Sequence, residues 1–456
     1  MDLIYKVEDK PKFSQMIVYA FQQLLAIMAA TLAVPVIVNQ ATGSNMDIAA
    51  ALFGAGVGTM VYQFFTKAKS PVFLGSSFAF LGSMMSAFAG AASMSLGYFG
   101  LILGAGFAGL VYVVIALIVK KVGVKWIDKL MPPVVIGPTV AIIGLSLAGN
   151  AIGDLTKGNV AGADGAPLAS TYVCLICGLV TLFVTMLCST YGKKGIRLIP
   201  FIIGILAGYC VALVFTLIGN ASGNDALKVI SFAPFAALLE DGKVSLKTFF
   251  SIPRFTFLEA AKGLKEINAG YIGSIAVAYL PVAFVVFAEH LADHKNISSI
   301  IGRDLLKEPG LNRTLLGDGV GSFFGAIFGG CPNTTYGESI ACVAITRNAS
   351  TRTIFCTAVL AMIISFINPF VAFLNTIPSC VMGGVCMALY GFIAVSGLKM
   401  LQKVDLGENR NLFTASVILI AGIGSLSVSF GSITLTTVAC ALILGIITNQ
   451  VLSKKS

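Results

Sequence analysis

Two glutamates stand where a charge is least expected. Glu289 closes the apolar run Ala283 to Ala288, and Glu338 stands beside the Gly-rich opening of another apolar segment. Most of the 20 acidic residues lie in loops, and these two are the exceptions. An ionised carboxylate at membrane depth costs several kcal/mol, so it is expected to pair, take a proton or bind something. The plainer alternatives are that Glu289 marks the mouth of a span and that Glu338 caps a short helix. Asp293 and His294 follow Glu289 at i+4 and i+5. The i+4 spacing puts Asp293 on Glu289's helix face. Two carboxyls so close are expected to share a proton near neutral pH, which suits proton coupling. His290 and His294 are the only histidines. Their spacing superficially suggests metal ligands, yet no third or fourth ligand accompanies them and no metal is expected. Phe78 and Tyr336 could stack on a planar ring, although in a chain with 32 Phe any single one more often packs.

The elements that must position these residues are membrane spans. Of 456 residues, 57% are hydrophobic and 11% charged, against roughly 45–50% and about 25% in ordinary soluble chains. The apolar runs are roughly 17–25 residues long, the length that crosses a hydrocarbon core. Spans are expected near 17–39, 46–66, 72–91, 97–119, 131–150, 171–189, 198–219, 271–291, 314–329, 333–346, 353–373, 377–397, 411–430 and 432–452. The polar N-terminal segment carries Lys6, Lys10 and Lys12, and no cleavable signal peptide is expected. With both termini in the cytoplasm and sides alternating, 23 of the 30 Lys and Arg fall inside, as the resistance of positive charge to translocation requires. The net charge of +10 is therefore a topology signal and not a nucleic-acid patch. The ten cysteines lie in or at the ends of apolar runs. They read as small buried hydrophobes, Cys174-x-x-Cys177 included.

Seven spans per half is an odd number, so two related halves would enter the membrane from opposite sides, the inverted-repeat plan of many secondary transporters. Pro132 with Val135-Ile136-Gly137 matches Pro378 with Val381-Met382-Gly383. The third and tenth spans also correspond, opening with Pro71-Val72-Phe73-Leu74-Gly75-Ser76-Ser77-Phe78 and Cys331-Pro332-Asn333-Thr334-Thr335-Tyr336-Gly337-Glu338. Interrupted segments at matching places leave backbone groups that only a polar ligand or water-lined cavity can satisfy. The expected fold is an all-α polytopic membrane protein of 14 transmembrane segments in a 7+7 inverted repeat.

Four blocks carry a resemblance. Gly75-Ser-Ser-Phe-Ala-Phe80, Ala288-Glu-His290, Pro332-Asn-Thr-Thr-Tyr-Gly-Glu338 and Ala344-Ile-Thr-Arg347 resemble the nucleobase–ascorbate transporter family, and the resemblance runs over essentially the whole chain. It implies a core domain in two parts (1–120 and 271–374), a gate domain in two parts (121–220 and 375–456) and an extracytoplasmic linker (221–270). It also implies short β-strands at the openings of spans three and ten. Glu289 and Glu338 would hold a uracil ring, the backbone at Phe78 and Gly337 would complete its hydrogen bonds, and Tyr336 and Tyr390 would line the pocket. Proton symport would run through Glu289 with Asp293 and His294, with no cofactor but the proton. The protein would lie in the cytoplasmic membrane of a bacterium, as a homodimer. Glu at 338, where purine-transporting relatives typically carry Gln, favours uracil over xanthine or uric acid, which are the alternative substrates. Departures from the family pattern are Ser339 for Asn, Ala341 for Gly, Gln23 for the His of a Gln-His pair, and Asp293 for a His that helps couple the proton in a uracil-transporting member. More distant alternatives are a sulfate-permease-like anion transporter, a membrane-embedded enzyme and a channel.

Overall fold

The computed structural model describes residues 3–123, 126, 130–162, 166–193, 195–239, 243–402, 404–430 and 433–453. Of the basic residues that set the topology, Lys125, Lys129, Lys194, Lys403, Lys454 and Lys455 lie outside the described residues. The chain is mainly helical. Among the described residues the α-helices of seven or more residues are α1 (Phe13–Thr42), α2 (Ile48–Phe65), α3 (Leu81–Ala89), α4 (Met94–Val122), α5 (Pro133–Ser146), α6 (Ala148–Leu155), α7 (Thr171–Tyr191) and α8 (Pro200–Ser222). There follow α9 (Thr256–Lys262), α10 (Ala269–Ile301), α11 (Leu311–Gly329), α12 (Gly337–Thr346), α13 (Thr351–Ile364), α14 (Asn368–Thr376), α15 (Ser379–Leu401), α16 (Asn409–Ile423) and α17 (Thr437–Ser453). With α5 and α6 taken as one, eight of them are long and apolar enough to cross a membrane among the described residues. Strands β1 (Leu74–Ser76) and β2 (Asn333–Thr335) pair antiparallel, as do β3 (Val428–Phe430) and β4 (Ile433–Leu435).

Local chemistry fixes several helix ends. The side chains of Asp47, Ser93 and Asn268 accept the first free backbone N–H groups of α2, α4 and α10, the usual N-cap solution. Gly302, at φ 69°, ends α10, a left-handed geometry glycine adopts without steric cost. That end lies ten residues beyond the expected 291, because Asp293, Lys295 and Asn296 extend the helix past its apolar stretch without breaking it. The expected spans 353–373 and 411–430 are also interrupted: α13 gives way to α14 after a turn at 365–367, and α16 ends before the β3–β4 hairpin.

The described chain divides into two compact units, residues 1–146, 254–362 and 392–456, and residues 147–253 and 363–391. In the second unit, α7 and α8 form a close hairpin. Cβ atoms built on Gly204 and Gly208 would come within 1.9 and 1.8 Å of the Thr185 and Thr181 hydroxyls, so only glycine admits this approach. In the first unit, α2 crosses α11 on glycines: a Cβ on Gly54 would stand 2.4 Å from the Gly325 carbonyl oxygen, and one on Gly321 2.6 Å from that of Gly58. Small residues at such crossings let membrane helices meet backbone to backbone.

An N-terminal strap closes one end of the first unit. Arg347, in the left-handed region at φ 56°, ends α12 and turns its carbonyl to accept Ile4 N–H (2.9 Å) and Tyr5 N–H (3.2 Å). Ala349 N–H donates to the Tyr5 carbonyl and Thr351 N–H to that of Val7. Val7 itself is buried against Tyr62, Val72, Ile340 and Val343. The exposed Glu8–Arg303 ion pair lies beside it, and the Arg303 guanidinium holds the Glu8 carboxyl below the usual carboxylate range. A lowered carboxyl pKa adds stability above its unfolded value, and that stability is lost as pH falls through the folded one. So exposed a pair contributes at most about 1 kcal/mol. Deleting residues 3–9 should therefore lower the thermal midpoint in detergent by several degrees, while Arg303→Gln should barely move it. Equal effects would show that charge, and not backbone pairing and Val7, holds the strap.

Candidate functional site

The two interrupted segments meet. In the β1–β2 ladder Leu74 faces Thr335, Gly75 faces Thr334 and Ser76 faces Asn333. The pairing extends at both ends, where Ser77 N–H donates to the Pro332 carbonyl (2.9 Å) and Tyr336 N–H to that of Phe73 (3.3 Å). Three-residue strands cannot stand alone, and α2 and α11 supply what holds them. Thr59 on α2 both accepts the Leu74 N–H (2.9 Å) and donates to the Leu74 carbonyl (3.2 Å). The Asn333 amide donates to the Gly54 carbonyl at 3.2 Å, in space that a Cβ on Gly58 or Gly325 would fill.

After each strand a helix begins. A 3₁₀ turn, Phe78–Phe80, leads into α3, and α12 begins at Gly337. Free N–H groups at such starts suit acceptor oxygens and negative charge. Phe78 is buried, Gly337 is exposed, and a Cβ built on Gly337 meets nothing within 4 Å. The backbone there borders open space. Tyr336 is buried, and its hydroxyl donates to the Ser76 carbonyl at 2.7 Å. Its ring leaves no room over Gly75, whose added Cβ would lie 2.4 Å from ring atoms and 2.9 Å from the Thr31 hydroxyl. Gly75→Ala should therefore cost about 1–3 kcal/mol by overpacking, read as a lower thermal midpoint in detergent. The double variant with Tyr336→Leu should recover part of it. A Gly75→Ala protein as stable as the parent would mean the ring yields freely.

The carboxylates gather around this crossing. Glu289 on α10 lies within electrostatic reach of Asp293, Glu338 and Asp318. Glu289, Asp293 and Glu338 are each half-buried. Asp293 and Asp318 are taken up by protein: the Thr335 hydroxyl donates to Asp293 Oδ2 at 2.7 Å, and His290 Nδ1 lies 2.7 Å from Asp318 Oδ2. For the Glu289 and Glu338 carboxylates no partner side chain donates among the described residues. Glu338 sits in the first turn of α12, whose N-cap, Tyr336, makes no side-chain cap.

The histidines are committed to structure. The Thr314 hydroxyl donates to the Leu311 carbonyl (3.1 Å), so it accepts from His290 Nε2 at 3.0 Å. The Nδ1 contact to Asp318 then shares a proton between ring and carboxylate. His294 Nδ1 donates to the His290 carbonyl (2.8 Å), and its Nε2 faces the Tyr62 hydroxyl at 2.7 Å. That hydroxyl is also 2.7 Å from Ser70 Oγ. All four ring nitrogens are occupied. Among the described residues no group of three or more His, Cys, Asp and Glu is placed to hold a metal.

One reading of the sequence needs correction. Asp318 is a further acid away from loops, inside α11 and fully buried. A lone acid within the expected span 314–329 was itself the signal, since such groups in apolar segments mark partners or pathways. Thr335 was concealed in the strand block, and Tyr62 and Thr314 carried no signal at all. Tyr390 belongs to the second unit, where it is 3% exposed.

The chain is similar to known proteins over nearly its full length. The sequence profile of the Permease family matches residues 14–430. A uracil permease of Bacillus caldolyticus is 36% identical over 452 residues, covering 98% of this chain and 94% of that protein. A uracil permease of Bacillus subtilis gives the same figures, and one of Escherichia coli K12 is 34% identical over 442 residues, covering 96% and 92%. Among solved structures, the transmembrane domain of a cyanobacterial bicarbonate transporter, BicA, superposes with a TM-score of 0.60 at 14% identity, over 98% of this chain and all of that one. SLC26A9 gives 0.63 at 12% identity, over 97% and 66%. These structures share the fold. The match to nucleobase–ascorbate transporters, drawn from the blocks at 75–80, 288–290, 332–338 and 344–347, is thus borne out. A profile match over nearly the full length places the chain, a multi-pass membrane protein, in the Permease family.

Proposed function

We propose that the chain imports uracil by proton symport, through alternating access of a core domain (1–120 and 271–374) against a gate domain (121–220 and 375–456). The observation that carries this reading is the pair of half-buried carboxylates beside the β1–β2 crossing, Glu289 and Glu338, to which no side chain donates among the described residues. A planar base complements them. Its ring N–H groups donate to carboxylates, and its carbonyl oxygens accept from the backbone amides at Phe78 and Gly337. Charge-assisted bonds of this kind are the stronger ones. The named uracil permeases among the relatives support the substrate. A small inorganic anion would face repulsion from the same carboxylates, so the shared fold with anion transporters does not extend to cargo. No covalent step is needed, and no enzyme activity is proposed.

The fourteen-span plan is part of the proposal. Besides the eight long helices, five shorter apolar helices (78–89, 337–346, 351–364, 409–423 and 437–453) and α11 fall at the remaining expected spans. The inverted repeat is supported by matching helix starts. Val135 and Ile136 N–H donate to the Pro132 carbonyl, as Val381 and Met382 do to that of Pro378. Cytoplasmic termini, a bacterial cytoplasmic membrane and a homodimer complete the reading. It is tested by uptake of labelled uracil into proteoliposomes under an imposed pH gradient, with and without a protonophore, beside the same assay for xanthine. Accumulation should be saturable, abolished by the protonophore and competed by unlabelled uracil. Uptake that ignores the protonophore would remove the coupling, and competition by xanthine alone would change the substrate.

A further inference from the structure

We infer that Gln23 and Ser339 act as one clamp that sets the direction of the Glu338 carboxylate. The inference rests on the role proposed for Glu338 and adds two positioning residues to it. Gln23, on α1, is 3% exposed, and Ser339 is completely buried. The Gln23 side-chain amide donates to Ser339 Oγ at 2.5 Å and to the Ser339 carbonyl at 3.3 Å. Ser339 directly follows Glu338 in the first turn of α12. Its Oγ also accepts the N–H of Phe73 at 3.0 Å. Phe73 is the residue before β1, and its own carbonyl accepts the Tyr336 N–H.

A hydroxyl oxygen has two acceptor sites. Both sites of Ser339 Oγ are occupied, one by a donor from α1 and the other by a donor from the approach to β1. Three elements separated by up to 316 residues in sequence therefore meet at one atom beside the proposed ligand. The first turn of α12 cannot rotate about its axis without breaking both bonds, and Glu338 turns with it. Gln23 and Ser339 fit each other in size: a short hydroxyl side chain is met by a long amide. Exchanging either alone leaves a buried donor without its acceptor or crowds a site already filled.

The test is a double-mutant cycle in the full-length protein, reading KM and maximal rate of uracil uptake separately, with the thermal midpoint in detergent alongside. Ser339→Ala, which leaves the Gln23 amide and the Phe73 N–H without their shared acceptor, and Gln23→Met, close in volume but without the amide that ties α1 to the turn, should each raise KM about tenfold. Maximal rate should change little. The double variant should be no worse than the weaker single one, because either change frees the same turn. KM effects that multiply in the double variant, or a fall in thermal midpoint with KM unchanged, would overturn the clamp. If the parent takes up xanthine and not uracil, the substrate reading fails while the same cycle on xanthine still decides the clamp. If it takes up neither, the cycle is read on the thermal midpoint, where additive changes overturn it.

Discussion

Replacing Glu338 by alanine should abolish measurable uracil binding to the purified protein. Glu338 lies in the first turn of α12 beside the open backbone at Gly337. Helix-start N–H groups and a carboxylate together offer the alternation of donor and acceptor that the edge of a planar base requires. Losing a charged acceptor for a buried ring N–H costs about 1.5–3 kcal/mol per bond, and a carboxylate that accepts twice would cost about twice that. Affinity would then fall by roughly two to four orders of magnitude. Glu338→Gln keeps the shape but exchanges an acceptor for a donor, so it should weaken uracil at least tenfold. Titration calorimetry on the detergent-solubilised protein reads both variants. An unchanged uracil affinity in Glu338→Ala would take this residue out of the site.

Glu289→Gln should separate binding from coupling. Glu289 stands among three other carboxylates, Asp293, Glu338 and Asp318. Two of these already hold protein partners, the Thr335 hydroxyl and the His290 ring. With Glu338 given to the ligand, Glu289 is the acid proposed to exchange a proton as the ligand comes and goes. Glutamine keeps the volume and neutrality of the protonated acid but has no proton to release. The variant should still exchange labelled for unlabelled uracil across a vesicle membrane, while accumulation driven by a pH gradient should disappear. A variant that accumulates uracil normally under the gradient would rule out this role. Asp293→Asn is the useful companion. It retains an acceptor for the Thr335 hydroxyl, so any loss of coupling there would come from charge and not from a broken bond.

The sequence by itself determined the class of protein and two of its candidate ligand-holding acids. Apolar runs of spanning length, with Lys and Arg between them, need no knowledge of packing, because burial in hydrocarbon is decided by each segment's own composition. Glu289 and Glu338 were legible for the same reason: a charge in an apolar run stands out along one dimension. Asp318 obeyed that rule equally and could have been read from it.

Tertiary structure alone decided which groups are spoken for. Nothing local says that Asp318 meets His290, that Thr335 donates to Asp293, or that Ser339 Oγ joins Gln23 to Phe73. Nor does the length of an apolar run locate the end of α10 or the turn between α13 and α14. The register of β1 on β2 likewise depends on Thr59 and on how closely α2 and α11 approach across their glycines. Hydrophobic burial is a property of a segment, whereas a hydrogen bond belongs to two atoms brought within about 3 Å, and only the packed helices bring them there.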